Sequence, residues 1–258
     1  FSRFPQPDAC VALHVAADLA AGQLGITPGY FLANVDSVDV TIYGRGGHGA
    51  RPQDTVDPIV TAAHFVTALQ TLVSRRVDPV ESAVVTVGSI HGGTKHNVIP
   101  DEVTLQLTVR SFTDDVRRTL LDGIAQMAKD ECAVFRCPRP PQVVVKDGYT
   151  PAAYNDPTLT AAAAAALRAA FGAAAVVDRR PEMGGEDFGR YAVAAGVPGF
   201  MFRLGSVAPA ALAASRKPGG PALPGLHSSR YAPLPGPTLA TGIRALGHLA
   251  LAVLAPAL

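Results

Sequence analysis

Between residues 36 and 149 the hydrophobic period of this chain changes from two to 3.6 and back, in the order β-α-β-β-α-β. Val38, Val40 and Ile42 alternate with Asp39, Thr41 and Tyr43, the pattern of a strand with one buried face. Asp57-Pro58 then offers an N-cap side chain and a first-turn proline. Ile59, Ala62, Ala63, Val66, Leu69 and Val73 follow at helical spacing. Further strands are predicted over 83–90 and 102–110. The second sets Val103, Leu105, Leu107 and Val109 on one face and Thr104, Gln106, Thr108 and Arg110 on the other. Thr113-Asp114 opens a helix reaching residue 129, with Val116, Leu120, Ile124 and Met127 inward, and 142–146 gives a fourth strand. This order is the ferredoxin-like split motif, two helices over one face of a four-stranded antiparallel sheet. An edge strand and helix of such a unit are common places for a homodimer to form.

The flanks read differently. Strands are predicted over 11–15, 174–177 and 199–204, and helices over 159–171, 187–195 and 238–254. These are pieces of an α/β domain that the α+β unit interrupts. The expected organisation is therefore 1–35 with 148–258 as one domain and 36–147 as an inserted one, with no internal repeats.

Composition excludes some partners. With 22 basic and 21 acidic residues, net charge +1 and no basic run, neither nucleic acid nor an anionic membrane surface is an expected partner. The Ala-rich stretches 160–177 and 239–258 carry Arg168, and Arg244 with His248, so neither is a clean apolar span. Cys10, Cys132 and Cys137 match no zinc knuckle and cannot close a disulfide set, so they read as reduced thiols. Phe1-Ser2-Arg3-Phe4-Pro5 lacks a leader pattern, and a chain without an initial Met is processed, trimmed or a fragment. A soluble cytoplasmic protein is the expectation.

Chemistry-bearing residues cluster in a few places. Tyr43-Gly44-Arg45-Gly46-Gly47-His48-Gly49-Ala50-Arg51-Pro52 and Gly92-Gly93-Thr94-Lys95-His96-Asn97-Val98-Ile99-Pro100-Asp101 are glycine-rich turns able to approach an oxyanion closely. His48 there can donate to a developing oxyanion, or can be a turn histidine with no task. Asn97 can present its amide to a carbonyl, or can be an ordinary turn residue. Arg110 ends a polar strand face, where a guanidinium binds a carboxylate or joins a surface ion pair. His14, in the apolar Ala12-Leu13-His14-Val15, needs a partner if buried, whether a metal or a carboxylate. His227, in Leu226-His227-Ser228-Ser229, sits in a loop ahead of the last helix, where most histidines are simply exposed. Glu182-Met183-Gly184-Gly185-Glu186-Asp187-Phe188 places acids at a helix start, where the dipole alone would explain them.

Taken in order, the segments around His14, Gly44–Pro52, Asn97-Val98-Ile99-Pro100-Asp101, Thr108-Val109-Arg110-Ser111, Met183–Phe188 and Leu226-His227-Ser228 resemble one family. It is that of the aminoacylase/carboxypeptidase-type dinuclear metallohydrolases, in the branch of hippurate hydrolase and N-acyl-amino-acid or auxin-conjugate amidohydrolases. The resemblance implies a zinc-peptidase-like α/β catalytic domain, incomplete at its N-terminal side, interrupted by a ferredoxin-like lid that dimerises. It implies two divalent ions (zinc, manganese, cobalt or nickel), with His14 and His227 as metal ligands. His48 is matched to a lid histidine that reaches a partner subunit's active site and steadies the tetrahedral oxyanion, and Asn97, counted with it as catalytic, to a lid residue that helps hold the substrate's carboxylate or carbonyl. Arg110, Glu186 and Gly205 are assigned to the substrate, an N-acyl amino acid or a peptide-like amide. The implied chemistry is attack of metal-activated water on an amide carbonyl.

The departures from the family pattern are specific. Members carry a Cys-Gly-His-Asp motif and a Glu-Glu pair supplying the other ligands and the general base, and this sequence contains neither Cys-x-His nor Glu-Glu. Gln53 stands where a histidine is common, and Arg203 where an aromatic usually precedes Leu-Gly. Two functional readings follow. One is a metal-dependent amidohydrolase of which these residues form the C-terminal two-thirds, inactive by themselves and leaving apolar surface exposed on the α/β half. The other is a non-catalytic dimerising or small-molecule-binding remnant.

Overall fold

The computed structural model describes residues 5–254. The opening Phe1-Ser2-Arg3-Phe4, read above for a leader, and the last four residues of the 148–258 segment lie outside the described residues. In chain order the elements are β1 (Cys10–Ala20), β2 (Leu24–Ile26), β3 (Gly29–Leu32), β4 (Asn34–Tyr43), β5 (Gly47–His48), α1 (Pro58–Arg76), β6 (Ala83–His91), β7 (Val98–Ile99), β8 (Glu102–Ser111) and α2 (Asp114–Val134). They continue as β9 (Gln142–Val145), β10 (Ala153–Asn155), α3 (Pro157–Phe171), β11 (Val176–Asp178), α4 (Gly189–Ala195), β12 (Gly199–Val207), α5 (Pro209–Ser215) and α6 (Pro235–Leu254). The chain divides into two compact units. The first comprises residues up to Leu32, Ala153–Glu182 and from Asp187 onward; the second comprises Ala33–Ala152 with Met183–Glu186.

The second unit has the ferredoxin-like order. Its sheet runs β6-β8-β4-β9, with every neighbouring pair antiparallel. The strict alternation of β4 and β8 turns Val38, Val40, Ile42, Val103, Leu105, Leu107 and Val109 into one core, against Phe65, Leu69 and Leu72 of α1 and Leu120 and Ile124 of α2. Both helices start as their sequences dictate. The Asp57 carboxylate accepts from the amides of Ile59 and Val60, and the Thr113 hydroxyl from that of Val116. Helix α2 runs past the expected residue 129 because Ala128 and Cys132 continue the buried stripe of Ile124.

A buried ion pair ties β4 to α2. The Asp36 side chain is fully buried and receives Arg117 in bidentate fashion, Nε to Oδ2 at 2.7 Å and Nη2 to Oδ1 at 2.6 Å. The hydrogen bond to Asp36 holds the Arg117 guanidinium above its ordinary pKa against the opposing effect of burial. The guanidinium also lies 3.9 Å from the centroid of the Tyr149 ring.

Helices α1 and α2 touch at Gly123, where an added Cβ would meet Leu72 Cδ2 at 2.4 Å. Gly123→Ala is expected to destabilise the protein by about 1–3 kcal/mol through overpacking, despite a gain of about 1 kcal/mol in helix propensity. In a Leu72→Ala background the same substitution should become stabilising, and urea melts of the two pairs read the change of sign.

The first unit is built on a mixed sheet in the order β1-β12-β2-β11. β12 is buried over eight of its nine residues, as a central strand covered on both faces requires. Phe200, Phe202 and Leu204 face α3 and α6 through Leu167, Ala245 and Leu249, while Met201 faces Phe31, Leu32 and Phe188. The expected strand over 174–177 begins instead as a 3-10 turn at Ala173–Ala175 and pairs only from Val176 to Asp178. Gly172, with φ of 85°, ends α3 and hands the next three alanines to that turn. β1 extends five residues beyond residue 15, and the sequence pattern gives no sign of the short pair β3–β10.

Candidate functional site

In the second unit, the two glycine-rich turns come together. β5 pairs with β7, setting His48 opposite Val98 and Gly47 opposite Ile99. The Gly49 amide donates to the Asn97 carbonyl at 2.8 Å, and the Gly46 amide to Asp101 Oδ1 at 2.8 Å. The strands approach so closely that a Cβ on Gly46 would stand 2.5 Å from the Ile99 carbonyl oxygen, which is why this turn needs glycine. His48 and Asn97 are thereby neighbours, and both are exposed. The Ala50 amide donates to His48 Nδ1 at 3.0 Å. An N–H can only donate, so the neutral ring carries its proton on Nε2 and presents it as a donor.

Arg110 ends β8 and is half-buried. Its Nη1 donates to the Met183 carbonyl at 2.7 Å, and the Ala33 amide donates to the Gly184 carbonyl at 2.9 Å. These bonds seat the Met183–Glu186 segment in the second unit, with Gly185 against Val35. Glu186 is half-buried within that segment.

In the first unit, His14 and Arg203 are direct partners across the parallel pair β1–β12. His14 Nδ1 lies 2.8 Å from the Val15 carbonyl. A carbonyl only accepts, so Nδ1 bears a proton, and a neutral ring then carries its lone pair on Nε2, the tautomer of a histidine that ligates through Nε2. Arg203 is 5 % exposed, and its Nη2 reaches Glu182 Oε2 at 2.7 Å. Arg179 bridges Glu182 at 3.2 Å and Asp18 at 2.6 Å. Sequence reading marked Arg203 as a departure but gave no partner, because Glu182 lies twenty-one residues away.

His227 is exposed in the loop before α6. That loop is tied to the end of β12 by Ser206, whose hydroxyl meets Tyr231 Oη at 2.7 Å and whose carbonyl accepts from the Leu234 amide at 2.8 Å. Gly205 is buried, with its amide bonded to the Gln23 carbonyl at 2.9 Å. Among the described residues no group of three or more His, Cys, Asp or Glu side chains converges on a point that could hold a metal ion. Two histidines fall short of the three or four ligands such an ion takes, so these residues do not by themselves fit a dinuclear centre. No helix among the described residues is long and apolar enough to cross a membrane.

Comparison with known proteins accounts for both units. Residues 32–135 match the family model of the M20 peptidase dimerisation domain. The N-acetyldiaminopimelate deacetylase of Shouchella clausii is 37% identical over 212 residues, which is 82% of this chain and 55% of the relative. A solved structure from methicillin-resistant Staphylococcus aureus, described as an aminohydrolase, is 30% identical with a TM-score of 0.80, covering 96% of this chain and 60% of that one. A dinuclear metal binding peptidase of the M20 family from Bacillus subtilis, 24% identical with a TM-score of 0.71, shares the fold over 96% of this chain and 57% of its own. The chain thus spans about half the length of the curated relative it matches. The second unit thus carries the M20 peptidase dimerisation domain, and the chain as a whole shares the M20 peptidase fold and is similar in sequence to deacetylases.

Proposed function

We propose that this protein is a metal-dependent amidohydrolase that releases the acyl group from an N-acyl amino acid, acting in the cytoplasm as a homodimer through its second unit. The similarity to a deacetylase over 82% of the chain supports the reaction class. The observation that carries the site is the tautomer of His48. With Nδ1 taken by Ala50, the exposed Nε2–H is a donor for a carbonyl oxygen that gains negative charge. Asn97, its neighbour, is assigned to the same oxygen. Arg110, Glu186 and Gly205 are assigned to holding the substrate. His14 and His227 are this chain's contribution to ligating two divalent ions, whose role when bound is to activate water. Because those two histidines are too few for the centre, the 258 residues alone are expected to be inactive. The alternative is a non-catalytic dimer that binds small N-acyl compounds, and the ligand shortfall is what favours it.

The test is made on protein isolated from its native source, whose intact mass is compared with the 26.6 kDa of this sequence. Hydrolysis of N-acetyl amino acids is then followed with added zinc, manganese or cobalt. Metal-dependent release supports the hydrolase, and His48→Ala should lower kcat on the order of 10²–10³-fold, as the loss of one oxyanion donor does. Binding of the same compounds with no release under any metal supports the alternative. Turnover by the pure 258-residue chain would refute the statement that it is inactive alone.

A further inference from the structure

The C-terminal end of α2 brings two cysteines together. The Cys137 amide donates to the Cys132 carbonyl at 2.8 Å, and the Arg136 amide to the Ala133 carbonyl at 3.1 Å. These are the two bonds of a Schellman turn, in which the chain folds back so that the residue two past the cap meets the one three before it. Arg136 takes the left-handed position, φ 55°, and is the one non-glycine residue with positive φ among the described residues. The side-chain contact usually made by apolar residues in this turn is made here by two thiols. Cys132 is buried in the core of the second unit and Cys137 is half-buried against it. Burial, followed by the hydrogen bond to Cys137, pushes the Cys132 thiol up to about 12.

Beside the pair lies an open cavity of about 430 Å³, lined by Lys129, Cys132, Cys137 and the run Pro138-Arg139-Pro140-Pro141. Arg139 is fixed there, its guanidinium 3.4 Å from the centroid of the Tyr43 ring. The rim is therefore cationic, and its volume falls in the range that holds small ligands.

We propose that Cys132 and Cys137 form a reversible dithiol–disulfide site, entered at Cys137 by an anionic low-molecular-weight disulfide of the glutathione type. Cys137, the more exposed sulfur, attacks one sulfur of the incoming disulfide as its thiolate and expels one thiolate, leaving a mixed disulfide. Cys132 then loses its proton to solvent and attacks Cys137 Sγ, closing the Cys132–Cys137 bond and expelling the second thiolate. The two cysteine sulfurs lose two electrons, and the small disulfide gains them as two thiols. The rigid turn makes the second step intramolecular. The carboxylates of the oxidant are met by Lys129 and Arg139.

The experiment treats the whole 258-residue chain with oxidised glutathione, then alkylates it and measures intact mass and linked peptides. The expected product has lost two hydrogens, accepts one alkyl group (at Cys10) and gives a Cys132–Cys137 cross-linked peptide. Cys132→Ser should stop at one stable glutathionyl adduct on Cys137, and Cys137→Ser should give no cross-link. The cationic disulfide cystamine should react at least several-fold more slowly at low ionic strength. Three alkylated cysteines after treatment, or a stable glutathionyl adduct on the unsubstituted chain, would overturn the site. Equal rates for the two disulfides would overturn the role given to the basic rim.

Discussion

Gly205→Ala is expected to be the most damaging of the Gly→Ala substitutions among the described residues of the first unit. Gly205 lies in β12 opposite Ala16 of β1, and a Cβ there would stand 1.9 Å from the Ala20 carbonyl oxygen and 3.1 Å from that of Gln23. Both obstacles are backbone, held by the Gln23–Ala20 and Gly205–Gln23 hydrogen bonds, so no side chain can rotate away. The strands must part, and the Phe200, Phe202 and Leu204 face loses its packing. The expected cost is about 4 kcal/mol or more, in the class reserved for overpacking of a rigid core. Native-state hydrogen exchange gives the clean readout. Amides of β1 and β12 should lose protection while those of β4 and β8 keep theirs. Undiminished protection in β12 would contradict the backbone clash. This crowding explains the glycine without any ligand, so a substrate role for Gly205 has to be tested through its backbone amide and carbonyl alone.

Arg117→Ala should be comparably severe in the second unit. It leaves the Asp36 carboxylate without its two hydrogen bonds at a position with no solvent exposure. Breaking one side of a buried pair costs about 3–5 kcal/mol, mostly the burden of the charge left behind. Replacing both partners by apolar residues, Asp36→Val with Arg117→Leu, should recover most of that loss. Urea melts of the three variants separate the cases, and a double variant no more stable than Arg117→Ala would show that the pair itself, not the orphaned charge, carries the energy.

Parts of this fold were legible because physics repeats along them. β4, β8, α1 and α2 each show three or more apolar residues at one period, and the two helices are opened by Asp57-Pro58 and Thr113. β2, β3 and β10 have three or four residues each, too few for any period to register, and are fixed by neighbours distant in sequence. The same divide runs through the candidate site. His48 and Asn97 lie in turns whose glycines announced a close approach, and the structure brings those turns together. The tautomers of His14 and His48 were illegible, since each depends on one backbone group meeting one ring nitrogen. The Arg203–Glu182–Arg179–Asp18 chain of charges was also hidden, because nothing in the residues flanking Arg203 says which acid will fold against it.

The Met183–Glu186 segment has a consequence for how the chain is made. The ferredoxin-like sheet and its helices are complete once Val145 has been synthesised, yet the second unit still lacks the carbonyls that Arg110 and Ala33 hold. A ribosome must add about forty further residues before these can arrive, which at 5–20 residues per second is a wait of seconds. During that interval a half-buried guanidinium has water as its partner, and the first strand of the unit has an unfinished end. The nascent protein therefore passes through a stage that no amount of waiting at residue 152 can complete. A stalled-chain series that stops on either side of residue 186 should show β8 tightening only in the longer members.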